Sequence, residues 1–144
     1  MHTEYIITTD QTRFDIAAIH AFLSQTYWSP GVPRSIVEKA VANSLSFGIL
    51  RGKEQIGFGR VVTDKATFAY LADVYVLEAH RGKGLSKRLI ETIQAHGDLQ
   101  GLRRFLLFTK DAHGLYAQYG FAELANPGRV MEKVGANLYV HQAS

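Results

Sequence analysis

Phe68-Ala69-Tyr70-Leu71-Ala72-Asp73-Val74-Tyr75-Val76-Leu77, run on through Glu78-Ala79-His80-Arg81-Gly82-Lys83-Gly84-Leu85-Ser86, is the stretch from which the rest of this chain can be read. Its first half is a nearly continuous apolar run of β-branched and aromatic residues, interrupted only by Asp73. Such a run predicts a central strand covered on both faces. Beyond the turn, Leu85, Leu89, Ile90 and Ile93 recur at helical spacing, which predicts an amphipathic helix ending near Gly97. The stretch is therefore a strand–turn–helix unit, and its turn carries the chemistry.

Between strand and helix lies His80-Arg81-Gly82-Lys83-Gly84-Leu85-Ser86. Two glycines let the backbone turn tightly and come close to a ligand, because neither has a Cβ in the way. The first peptide N–H groups of the helix lack intrahelical partners and can point at an anion. The positive end of the helix dipole favours phosphate oxygens there, and so do Arg81 and Lys83. A phosphate or pyrophosphate cradle is the expectation. Rival phosphate motifs fail on spacing: Gly84 is followed by Leu85-Ser86 rather than the Lys-[Ser/Thr] of a Walker loop, and Gly82-x-Gly84 lacks the third glycine of a dinucleotide fingerprint.

Working outward, Ser46 to Leu50 and Gln55 to Val62 read as strands joined by a hairpin turn at Arg51-Gly52-Lys53-Glu54. Tyr5 to Thr8 is a short strand. Thr12 and Asp15 are spaced as a capping box, and Ile16, Ile19, Leu23 and Tyr27 then follow at helical spacing. That helix breaks at Ser29-Pro30-Gly31, and Pro33 suits the first turn of a second one running to about Asn43. On the other side, Arg104 to Thr109 reads as a buried strand and Ala112 to Tyr119 as a short helix stopped by Gly120. Val130 to Val134 and Leu138 to Val140 are strand candidates in the tail. The order is that of an α/β or mixed α+β domain spanning residues 1–144, with no repeat or linker.

Composition narrows the function. A chain of 144 residues can bury roughly two-thirds of its unfolded surface. It has no cysteine, so disulfides, thiolate metal sites and a cysteine acyl-enzyme are excluded. Its six histidines show no H-x-x-x-H spacing, so no metal is expected. A net charge of +3, with cations concentrated only at Arg81, Lys83, Lys87 and Arg88, is too sparse for a nucleic-acid face. Met1 to Asp10 lacks a signal peptide's layout and no apolar run would span a bilayer, so a cytoplasmic location without membrane contact is expected.

The segment Val76 to Ser86 resembles the acyl-CoA-binding motif [Q/R]-x-x-G-x-[G/A] of the GNAT superfamily of N-acetyltransferases. Arg81 fills its first position, Gly84, the second glycine of the turn, fills its Gly, and Ser86 replaces the final Gly or Ala by another small residue. Ala112-x-x-Leu115-Tyr116-x-x-Tyr119-Gly120-Phe121 resembles a second segment of that family, A-x-x-L-Y-x-x-x-G-F, in the same order and separation. Gly52 to Phe58 resembles the family's approach to its third strand. The resemblance covers residues 46 to 122. It implies a single GNAT-like domain whose central sheet is mixed, mostly antiparallel, and flanked by helices on both faces.

It further implies transfer of the acetyl group of acetyl-CoA, a co-substrate, to a primary amine by direct attack in a ternary complex. The central strand would bulge, and there the peptide groups of Val74 and Val76 would pair with the pantetheine arm. The pyrophosphate would sit on the amides of Arg81, Gly82, Lys83, Gly84, Leu85 and Ser86. Thr109 stands where the family often places an Asn against that arm. Tyr116 matches the family tyrosine that protonates the departing thiolate; its plainer reading is an aromatic packing its helix on the sheet. Asp73, a carboxylate in an apolar strand, reads either as the general base or as a satisfied buried group. Tyr27, Trp28 and Arg34 fall where the family lines its acceptor pocket, although Tyr27 also fits the apolar stripe of the first helix. The acceptor is a small-molecule or peptide amine. A non-catalytic CoA-binding sensor of the same fold is the alternative, and an edge strand in the tail, paired with another copy, would make a homodimer.

Overall fold

A computed structural model describes residues 4–139. Five strands form one sheet in the order β1 (Tyr5–Thr8), β2 (Leu45–Arg51), β3 (Glu54–Thr63), β4 (Phe68–Val76) and β5 (Arg104–Leu107). The first four run antiparallel to their neighbours and β5 runs parallel to β4. Four helices accompany them: α1 (Ile16–Leu23), α2 (Arg34–Ala42), α3 (Leu85–Ala95) and α4 (His113–Ala117). The sheet is thus mixed and mostly antiparallel, with helices on both faces, as expected.

Two apolar clusters sit on the two faces. Leu85, Leu89, Ile90 and Ile93 of α3 pack with Phe47, Ile49, Ile56, Val61 and Leu71, and Tyr116 of α4 joins them. On the opposite face Ile19 and Leu23 of α1 and Val37 and Val41 of α2 cover Phe58 and Tyr75. β3 and β4 therefore bury side chains on both faces, which is why they read as continuous apolar runs.

β4 is not a regular strand. Phe58 pairs with Tyr75 and Arg60 with Ala72, so β3 advances two residues where β4 advances three. The extra residue is a β-bulge centred on Asp73, whose φ is +57°. A bulge inverts which face later residues take. Ala69 and Leu71 face α3, and beyond the bulge it is Val76 that faces α3 while Tyr75 turns to the other side. There its ring stacks on Phe22 at 3.9 Å between centroids.

Several expected boundaries move. Thr12 does not begin α1: Asp10 caps a 3-10 turn at Gln11–Arg13, and Asp15 caps α1 by accepting from the amide of Ala18 at 3.0 Å. The two aspartates each begin a separate turn, so no single capping box spans Thr12 and Asp15. α1 closes at Leu23, so Tyr27 is outside its stripe and exposed. β5 stops at Leu107 and α4 spans only His113–Ala117. No strand forms at Val130 to Val134; Leu138 and Tyr139 lie in a turn, and Val140 lies outside the described residues.

Candidate active site

The site begins where β4 and β5 part. They pair in register from Phe68 and Arg104 to Leu71 and Leu107, and no further. Among the described residues, no strand lies beside the β5-facing peptide groups of β4 from Ala72 onward. At the same end β4 passes through a 3-10 turn, Glu78–His80, into the glycine turn and α3. A cleft between diverging strands, closed at one end by a helix N-terminus, suits an extended ligand carrying phosphates.

Gly82 and Gly84 have φ of +77° and +76°, so both occupy the left-handed region. A Cβ built at either would meet nothing within 4 Å, which leaves the approach to the turn open. Gly84 caps α3 without any side-chain bond, so the amides of Leu85, Ser86 and Lys87 are left for a ligand.

The two cations of the turn are already tethered. Nε of Arg81 donates to the carbonyl of Val76 at 2.9 Å, folding that side chain back on the end of β4. Nζ of Lys83 donates to the hydroxyl of Tyr5 at 3.3 Å and lies 5.7 Å from the centre of its ring. The Tyr5 hydroxyl also meets Nδ1 of the buried His80 at 2.8 Å, and Arg88 reaches the Tyr5 carbonyl at 3.3 Å. β1 thereby pins the turn. Tyr5 and His80 are structural partners that pattern reading missed, because they lie 75 residues apart.

Asp73 has both carboxylate oxygens occupied. One accepts from Nε of Arg60 at 2.8 Å, an ion pair largely shielded from solvent. The other accepts from the indole Nε1 of Trp28 at 2.9 Å. Arg60 also donates to the hydroxyl of Ser44 at 3.2 Å. Two side-chain donors thus satisfy the carboxylate. Asp73 holds the loop between α1 and α2 against the bulge.

That loop brings Tyr27 beside Trp28, edge to face at 5.1 Å. Lys110, just past β5, places Nζ 5.2 Å from the Tyr27 ring centre. Tyr27 and Trp28 therefore meet the β4 bulge and the segment leading into α4. Arg34 does not join them. It pairs with Glu38 at 3.1 Å and lines a separate depression with Phe14, Leu50 and Lys53.

Tyr116 is buried on α4, edge to face with Phe121 at 5.9 Å. Burial raises its pKa above the usual tyrosine range. Among the described residues no hydrogen bond engages its hydroxyl. Thr109 is committed to the chain itself: its hydroxyl accepts from the amide of Ala112 at 2.9 Å and fixes the turn into α4. Among the described residues no group of three or more His, Cys, Asp or Glu could hold a metal ion.

Comparison with known proteins agrees with this geometry. Residues 42–123 match the family model described as an acetyltransferase (GNAT) domain. A Gibberella zeae protein named as an acetyltransferase is 30% identical over 138 residues, covering 80% of this chain and 77% of its own length. A crystal structure of a protein assigned to the GNAT family from Xanthomonas campestris pv. campestris is 49% identical; it covers 94% of this chain and 96% of its own, with a TM-score of 0.91. A GNAT family acetyltransferase from Elizabethkingia anophelis, solved with acetyl-CoA bound, shares the fold at 13% identity and a TM-score of 0.64, over 93% of this chain and 90% of its own.

Proposed function

As the chain belongs to the GNAT acetyltransferase family, we propose that it transfers the acetyl group of acetyl-CoA to a primary amine, with both substrates bound together. The observation that carries this reading is the parting of β4 from β5 beside the uncapped start of α3. Those features fit acetyl-CoA residue by residue. The pyrophosphate takes the amides from Gly82 to Ser86, and the pantetheine arm pairs with the free edge of Val74 to Val76. Arg81 and Lys83 act chiefly by holding the turn in shape, with their charge as a secondary attraction.

In the reaction the amine nitrogen attacks the thioester carbonyl, a C–N bond forms, the C–S bond breaks and the thiolate takes a proton. Tyr116 supplies that proton. Its burial keeps the phenol protonated well above neutral pH, as a general acid requires. An alkyl amine, with a pKa near about 10, must first lose a proton. Asp73, with both oxygens engaged, serves as the residue that positions Trp28. Tyr27 and Trp28 then form an aromatic wall for the acceptor, and Arg34 has no part in it.

The test is thiol release from acetyl-CoA across a panel of small primary amines and peptides, run beside acetyl-CoA binding. Release with one class of amine supports transfer and identifies the acceptor chemistry. Tight binding with no release across the panel would overturn transfer in favour of a CoA sensor.

A further inference from the structure

Six residues close a ring over the place where β4 and β5 part. Trp28 donates from its indole to Asp73 at 2.9 Å. Three residues back along β4, Tyr70 meets Phe108, which follows β5, edge to face at 5.7 Å. Two residues further on, Nζ of Lys110 stands 5.2 Å from the ring centre of Tyr27, and Tyr27 meets Trp28 at 5.1 Å. The circuit joins three segments far apart in the chain: the loop between α1 and α2, β4, and the stretch between β5 and α4. It lies on the face of the sheet that carries α1 and α2, because Ala69 and Leu71 face α3 and Tyr70 between them faces away.

Four of the six are aromatic, and three of those stand open: Phe108 is 66% exposed, Tyr27 65% and Trp28 44%. Exposed apolar residues scattered singly are ordinary, but several rings around one opening make a flat, apolar receptor. Tyr70 adds no charge to it. Burial first, and the Asp73 carboxylate second, raise its pKa above the usual tyrosine range, so the phenol stays neutral.

The charges at the opening narrow the ligand further. Asp73 has one oxygen on Trp28 and the other on Arg60, so none of the six offers a free carboxylate to an incoming cation. Lys110 brings a positive charge over the Tyr27 ring face, where a cationic ligand would otherwise sit. An acceptor with a second ammonium meets repulsion here, whereas a planar apolar body meets only ring faces and edges. The same cation favours the neutral form of a nearby amine, the form that attacks a thioester.

We infer that this opening selects a small amine carried on an aromatic body, an arylalkylamine, over straight-chain alkylamines and polyamines. The aromatic body rests against Trp28 and Phe108, and the amine points along the parting toward the edge of β4 at Val74 to Val76. Its nitrogen bonds to the acetyl carbon, the C–S bond breaks, the amine's proton is given up and CoA leaves as the thiol. This selectivity rests on the acetyl transfer proposed above for its chemistry, but binding at the opening can be measured without it.

Two readouts on the full chain test it. In thiol release from acetyl-CoA, kcat/KM for phenethylamine should exceed those for n-hexylamine and spermidine roughly tenfold or more. Phe108→Ala should lower the phenethylamine value by about the same factor with little change in the KM of acetyl-CoA; its side chain is exposed, so the fold should be kept. Lys110→Glu, which sets a carboxylate at the opening, should raise the spermidine value several-fold. Trp28 is the one tryptophan of the chain, so phenethylamine added to the CoA-bound protein should change its fluorescence saturably. Hexylamine and spermidine should need about tenfold higher concentrations. Release that treats hexylamine or spermidine as well as phenethylamine would overturn the aromatic selection and leave acetyl transfer standing. Selective binding of phenethylamine with no release from any amine would overturn transfer and leave the selectivity standing. No saturable response to phenethylamine would overturn the inference.

Discussion

Asp73 combines a left-handed backbone with a doubly bonded carboxylate, and substitution can separate the two. Asparagine tolerates positive φ and keeps an oxygen for the Trp28 indole, but its amide nitrogen replaces the oxygen that accepts from Arg60, so Asp73→Asn breaks that ion pair. The loss should cost about 1–3 kcal/mol of stability, read as a lower urea midpoint. It should leave the pH profile of kcat/KM unshifted, the result expected of a carboxylate whose two oxygens are engaged in holding Trp28 and Arg60. A lost acidic limb in that profile would return Asp73 to the role of base. Tyr116→Phe tests the other proposed participant. Without the hydroxyl, kcat should fall by about 10²-fold or more while acetyl-CoA affinity is retained. Because burial raises the phenol's pKa, the parent's alkaline loss of kcat should lie above about 10, and this limb should be absent in the variant. At this scale the sequence was informative where chemistry is contiguous. The glycine turn was fully visible, whereas the partners of Asp73 stand 13 and 45 residues away and leave no local trace.

Among the elements, α3 and α4 deliver the site, and each has one weak joint. Gly84 holds φ of +76° at the start of α3 with open space around it, so an alanine there meets strain without any clash. The strain is about 1–2 kcal/mol. Gly84→Ala should raise the KM for acetyl-CoA several-fold with little effect on the acceptor's KM, a split that steady-state kinetics resolves. Thr109 fixes the turn before α4, and Thr109→Ala should cost about 1 kcal/mol in thermal unfolding. Helices and hairpins were legible because their signals are local: the turn between Arg51 and Glu54, the stripe of α3 and the strand Tyr5–Thr8 all stand as read. The tail strand was composed as a strand and does not form one here, since a strand exists only with a neighbour to pair with. Arg34, expected beside the acceptor, stands paired with Glu38 one turn along.

For the molecule as a whole, β3 is the spine that both apolar clusters share. Gly57 in that strand would set a Cβ 2.7 Å from Cδ1 of Ile49 and 2.9 Å from the carbonyl oxygen of Tyr75. The carbonyl cannot yield without opening the sheet, so Gly57→Ala should destabilise by about 1–3 kcal/mol, measurable by denaturant unfolding. The central strand was readable from its apolar run and α1 and α3 from their stripes, whereas the mixed sheet with helices on both faces and the bulge at which β4 parts from β5 came only with the family resemblance. That parting also orders events in time. β2, β3 and β4 follow one another through short turns, whereas β5 finds β4 across the whole of α3 and is held by four register pairs. Distant pairings close slowly, so the antiparallel meander should assemble first and the half bearing Tyr116 should dock last. Trp28, the chain's one tryptophan, leans on the meander side of the site. In refolding, its fluorescence should therefore recover before the ability to turn over acetyl-CoA does, and simultaneous recovery would mean that both halves close in a single step.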